Sequence, residues 1–114
     1  MTEILKQWLA KNSQAPGVLG FAVQHADKTS ATRSCAGGIS VETLEKAWRS
    51  VLEAIPVLQL NDLPTARVRW VFQQGIVHCE RRRDGVSLGI FTSKSPDLFK
   101  PEEVDRLLTE FHAL

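Results

Sequence analysis

Three histidines, two cysteines and a run of arginines are the residues of this chain best suited to chemistry, and their spacing limits what each can do. His25, His78 and His112 lie far apart. His78 and Cys79 are adjacent, but neighbours on a strand point to opposite faces, so a regular strand cannot aim both at one metal ion. Surface or half-buried packing accounts for all three histidines. Cys35 and Cys79 have no base beside them in sequence to generate a thiolate, and a buried thiol packs as a small hydrophobe. No Gly-x-Ser-x-Gly elbow occurs, and the acidic residues are dispersed over segments whose solvated faces explain them. No catalytic, metal-binding or cofactor-binding residue is therefore assigned, and the expectation is a protein that is not an enzyme and carries no cofactor.

Two further features invite a binding role. Gly37 and Gly38 precede a helix that starts near Ser40, and helix N-termini present unpaired N–H groups to anions. The segment lacks the GxxxxGK[ST] pattern, and Glu42 in the first turn repels phosphate. Arg81, Arg82 and Arg83, with Arg67 and Arg69 on the preceding strand, concentrate positive charge. Alternation along a strand divides the triplet, Arg81 and Arg83 to one face and Arg82 to the other. Such a cluster solubilises a hairpin tip or meets an acidic partner surface. Nucleic-acid binding is disfavoured, because Trp70 and Phe72 read as core-facing and the net charge of +1 supplies no global field.

The elements that position these residues follow from periodicity. With 43% apolar and 24% charged residues, the 114-residue chain has the composition of one globular domain, residues 1–114. Two cysteines do not make a disulfide scaffold and fit a reducing cytoplasm. Neither a secretory signal nor a bilayer-spanning run is read, so the expectation is a cytoplasmic protein without membrane insertion.

Ile4, Leu5, Trp8 and Leu9 recur at helical spacing over residues 2–11, with Thr2 as a cap. Residues 18–23 are apolar at both alternating sets, which predicts a strand covered on both faces. Asp27 to Ser30 supplies turn chemistry, and residues 31–36 return as a second strand. Ser40 caps a helix over residues 40–58, with Ile39 stapled to Leu44. Its core stripe is Val41, Leu44, Trp48, Val51, Leu52 and Ile55. Beside that stripe run Thr43, Ala47, Ser50 and Ala54, all small, leaving Glu42, Glu45, Lys46, Arg49 and Glu53 to face water. Two readings fit the small row: alanine as a good helix former, or a face approached closely by a second helix.

Residues 66–73 then alternate, with Ala66, Val68, Trp70 and Phe72 on an apolar face and Arg67, Arg69, Val71 and Gln73 opposite. A Gln74-Gly75 turn leads to residues 76–83, and Asp84-Gly85 to residues 86–92. As two-residue loops, these turns set Trp70 opposite Cys79, Arg69 opposite Glu80, Arg81 opposite Leu88 and Cys79 opposite Ile90. Pro101, Glu102 and Glu103 open a last helix whose buried stripe is Val104, Leu107, Leu108 and Phe111.

The fold class is therefore α+β, in the order αββαβββα. On Gly17-Val18-Leu19-Gly20-Phe21-Ala22-Val23, the helix at 40–58 and Gly85-Val86-Ser87-Leu88-Gly89-Ile90-Phe91-Thr92, the chain resembles the roadblock family of dynein-light-chain-like domains, which includes bacterial partners of small GTPases. Asp27-Lys28-Thr29-Ser30 departs from the Asp-Gly turn common there. The resemblance implies a five-stranded antiparallel sheet with helices on both faces, a roadblock/profilin-like sandwich. It also implies a homodimer, or a heterodimer with a paralogous roadblock-like chain, joined through third strands and central helices. Here those surfaces are Thr43, Ala47, Ser50 and Ala54 with Arg67, Arg69 and Val71. The two arginines read either as gatekeepers against edge pairing or as the rim of a paired edge. The implied function is a non-catalytic adaptor or regulator of a small Ras-like GTPase, with Glu42, Glu45, Lys46, Arg49 and Glu53 as partner contacts. The alternatives are a monomeric profilin-like or PAS-like small-molecule sensor and a dimeric secretion-chaperone-like protein, the latter usually more acidic than this chain.

Overall fold

The computed structural model describes residues 3–35, 39–95 and 98–114. The expected Thr2 cap and the Gly37-Gly38 turn lie outside the described residues. The elements run α1 (Glu3–Lys11), β1 (Val18–Gln24), β2 (Ser30–Ser34), α2 (Val41–Leu60), β3 (Arg67–Val71), β4 (Ile76–Arg81), β5 (Ser87–Thr92) and α3 (Pro101–Ala113). The α+β order is the one the periodicities predict.

The strands form one antiparallel sheet in the order β2-β1-β5-β4-β3. Because β1, β5 and β4 are interior, apolar residues on both of their faces are buried, which explains the absence of a polar set in residues 18–23. On one face Leu5, Trp8 and Leu9 of α1 and Val104, Leu107, Leu108 and Phe111 of α3 pack with Phe21, Val23, Leu88 and Ile90. On the other face Leu44, Trp48, Val51 and Ile55 of α2 pack with Ala22, Val77, Cys79 and Phe91. Two of the strand glycines let α2 sit close: a Cβ on Gly20 would lie 2.7 Å from a Leu44 methyl, and one on Gly89 2.5 Å from Trp48 Cζ3.

The ends of α2 follow local rules. Ser40 Oγ accepts the Thr43 N–H at 3.2 Å, and Ile39 packs on the cluster that holds Leu44. At the C-terminus Leu63 N–H donates to Leu58 O at 3.0 Å and Asp62 N–H to Gln59 O at 3.1 Å. This is a Schellman closure with Asp62, at φ 57°, where glycine is usual. The helix also runs through Pro56 and ends two residues past the expected Leu58.

The hairpin registers differ from the expected ones. Phe72 N–H donates to Gly75 O at 2.7 Å, and Val71 lies opposite Ile76, so Gln73 and Gln74 form the turn and Gly75 belongs to the ladder. Glycine is needed at 75 because a Cβ there would stand 2.5 Å from Thr92 O. The register shifts by two, setting Val68 opposite Cys79 and Arg67 opposite Glu80. The next loop has three residues: Arg82 N–H donates to Val86 O, Gly85 N–H to Arg82 O, and Gly85 has φ 90°. Cys79 therefore faces Gly89 and Glu80 faces Leu88. The first hairpin repeats this loop with Lys28, φ 75°, in the left-handed position, and Asp27 Oδ1 accepts from Thr29 N–H at 3.0 Å.

Candidate interaction surface

Among the described residues β3 ends the sheet and pairs with β4 alone. Ala66 accepts from Arg81 N–H and Phe72 donates to Gly75 O. In an antiparallel pair such bonds recur at every second residue, so Ala66, Val68, Trp70 and Phe72 bond to β4. The N–H and C=O groups of Arg67, Arg69 and Val71 accordingly point away from the sheet. This row is a template for one more strand.

Side chains on β3 divide by face. Val68, Trp70 and Phe72 pack beside the α2 cluster yet remain half-buried, with the Trp70 and Phe72 rings 6.4 Å apart. They are core-facing as expected, but among the described residues none completes their cover. Arg67, Arg69 and Val71 project to the α3 side, and Val71 is 61% exposed. The residues expected to join two copies thus do not share a face. The strand contributes its outward backbone, while the helix flank belongs with Trp70 and Phe72.

Thr43, Ala47 and Ser50 line a groove of about 320 Å³ between α2 and the β3–β4 turn, with Phe72, Gln74 and Phe91. Thr43, Ala47 and Ala54 are half-buried and Ser50 is exposed. The stripe's spacing of four, three and four residues, continued by three, reaches Val57, which is 58% exposed. Val57 thus extends the small row of α2 by one further step of the same spacing. Leu60, at 85%, and Leu63 extend the exposed apolar surface past the end of the helix.

The five charged residues assigned to partner contact do not form one patch. All are exposed, but Lys46 borders the groove beside β3, whereas Glu45 and Arg49 border another of about 400 Å³ between α2 and β2. Thr32 Oγ1 donates to Glu45 Oε1 there at 3.5 Å. Trp48 lines that second groove, and its buried indole N–H has no hydrogen-bond partner among the described residues.

The chemistry-bearing residues are occupied in packing. His78 and Cys79 do point to opposite faces. His78 Nε2 lies 2.9 Å from Thr92 Oγ1 and its ring 5.8 Å from that of Phe99. Burial, with Arg69 adding, lowers its pKa to about 4, against a smaller opposing pull from Asp105. Cys79 lies in the α2 cluster, where burial pushes its pKa up to about 12, and burial raises that of Cys35. Neither thiol is activated. Glu80 is buried and accepts from Arg67 Nε at 2.5 Å, with His112 Nδ1 at 3.3 Å. Arg82 stacks on Phe111 at 4.9 Å and pairs with Asp84, Arg81 Nη1 donates to Thr65 Oγ1 at 3.2 Å, and Arg83 is exposed at the loop. The arginine run is thus divided, with Arg81 and Arg82 held in separate contacts and Arg83 exposed at the loop, rather than one patch.

Among the described residues no group of three His, Cys, Asp or Glu side chains gathers to hold a metal ion, and no helix is long and apolar enough to cross a membrane. No protein-family model matches the chain, and no curated protein matches it.

Proposed function

We propose that this chain is a non-catalytic interaction module that dimerises through the β3 edge and the adjoining flank of α2, and that the dimer regulates a small Ras-like GTPase. The observation that carries the first half is the coincidence, on one side of the molecule, of an open strand edge with an incompletely covered apolar face. Edge groups call for a strand, while Trp70, Phe72 and the small residues of α2 offer contact area to whatever accompanies it. The GTPase half rests on the resemblance in element order and strand sequence. A regulator of this kind supplies no reacting side chain and acts by positioning the GTPase's own groups.

Sedimentation velocity at micromolar concentration tests the dimer, with a single species of twice the chain mass expected. Arg69→Pro removes an outward N–H that β4 does not use, so it should leave the monomer folded and abolish the dimer. Ala47→Arg should do the same from the helix side. Dimers that survive both substitutions would show that association uses another surface. For the second half, GTP hydrolysis by Ras-like GTPases of the same genome is measured with and without the protein; unchanged rates together with no binding would sink it. The groove beside Thr43 and Ala47 favours the small-molecule sensor as a second reading; that reading requires a monomer whose groove stays open.

A further inference from the structure

We infer that the partner on β3 is a second copy of this chain joined in one register, with the two-fold axis beside Trp70, so that each Trp70 faces the other and each Arg69 faces the other copy's Val71. The inference rests on the dimer reading above and adds which strand fits and how. The outward groups belong to Arg67, Arg69 and Val71, so these residues must meet one another across a symmetric antiparallel joint.

Charge then selects among the registers. An axis at Arg69 sets that guanidinium opposite its own copy, and an axis at Val68 sets Arg67 opposite Arg69 twice; like charges directly opposite destabilise a strand pair. An axis at Val71 leaves Val71 as the only β3 residue that faces its own strand. With the axis at Trp70, the Arg69 stem lies over Val71, which is otherwise exposed. Arg67, already paired with Glu80, then faces Gln73. On the other face Trp70 meets Trp70 and Val68 meets Phe72, at positions without hydrogen bonds, where Cα atoms approach to about 4.5 Å. Half-buried aromatics thus gain the cover that the described residues of their own chain do not supply. The segment Val68-Arg69-Trp70-Val71-Phe72 pairs with itself in this register without setting like charges opposite, which makes a second copy the fitting occupant.

Cysteine crosslinking in a Cys35→Ser background tests it, with Trp70→Cys, Arg69→Cys and the double variant Arg69→Cys/Val71→Cys oxidised in a glutathione buffer and separated without reductant. A facing pair falls within disulfide reach. Expected is crosslinked dimer as the main product from Trp70→Cys and from the double variant, and little from Arg69→Cys alone. The double variant keeps the indole, so it decides the matter if Trp70→Cys weakens association. Efficient crosslinking of Arg69→Cys alone would place the axis there and overturn the register. No crosslinking in any variant, while unoxidised protein sediments as a dimer, would overturn the register and leave the dimer standing. A wild-type monomer by sedimentation would overturn the dimer reading itself.

Discussion

His78 ties the stability of the fold to pH. It is 4% exposed beneath α3, and its folded-state pKa of about 4 lies below the ordinary value of 6.5. Between those values the unfolded chain binds a proton that the folded chain does not, so the stabilisation is complete above pH 6.5 and is lost as pH falls toward 4. The slope from this residue alone is at most about 1.4 kcal/mol per pH unit. Denaturant titrations of wild type and His78→Gln at pH 7, 6 and 5 should show the wild type losing stability more steeply; equal slopes would mean that other groups govern the acid limb. Two other residues hold strain rather than charge. Lys28 and Asp62 occupy left-handed backbone that glycine adopts without a Cβ clash. Lys28→Gly and Asp62→Gly should each raise stability by roughly 0.5–1 kcal/mol, net of the added freedom of the unfolded chain, read as a shift of the urea midpoint. Asp27 is better left alone, because its carboxylate holds the Thr29 N–H and hydroxyl, which lower its pKa.

The contact between α2 and the sheet sets what a helix-scale change does. Trp48 is 2% exposed and its ring rests where a Gly89 side chain would be. Gly89→Ala should therefore destabilise by about 1–3 kcal/mol through overpacking rather than loss of contact, and thermal unfolding monitored by Trp fluorescence would reveal it; a neutral change would mean that α2 shifts freely over β5. The elements themselves were legible in the sequence because a period of two differs from a period of 3.6, and because Ser40, Pro101 and the acidic first turn of α3 carry ordinary helix-start chemistry. Registers were not legible. Both faces of β4 are buried, Val77 and Cys79 on one and Ile76, His78 and Glu80 on the other, so a slip of one or two residues leaves its burial pattern unchanged. Gly75 also misleads, since its role is close approach to β5 rather than a turn. The candidate surface was half legible: the small row on α2 was visible, but the incomplete cover of Trp70 and Phe72 appears only once β3 is seen at the edge and α2 is seen lying over β1 and β5.

At the scale of the whole molecule, association and folding are one equilibrium if the β3 joint forms. A protein that binds its own copy only when folded becomes more stable as its concentration rises, because dissociation precedes or accompanies unfolding. For a dimer that unfolds to two free chains, a tenfold increase in protein adds about 1.4 kcal/mol per dimer, the standard increment for a tenfold change in an equilibrium constant. The two cores on opposite faces of the sheet belong to one chain, so a monomer has a complete interior apart from the face of Val68, Trp70 and Phe72. Ala47→Arg and Arg69→Pro are thus expected to unfold cooperatively, with midpoints independent of concentration. Calorimetric scans from about 5 to 500 μM should move the wild-type midpoint upward with concentration and leave both variants fixed. A wild-type midpoint that stays constant over that range would separate folding from association and remove the incompletely covered face as a reason for this chain to pair.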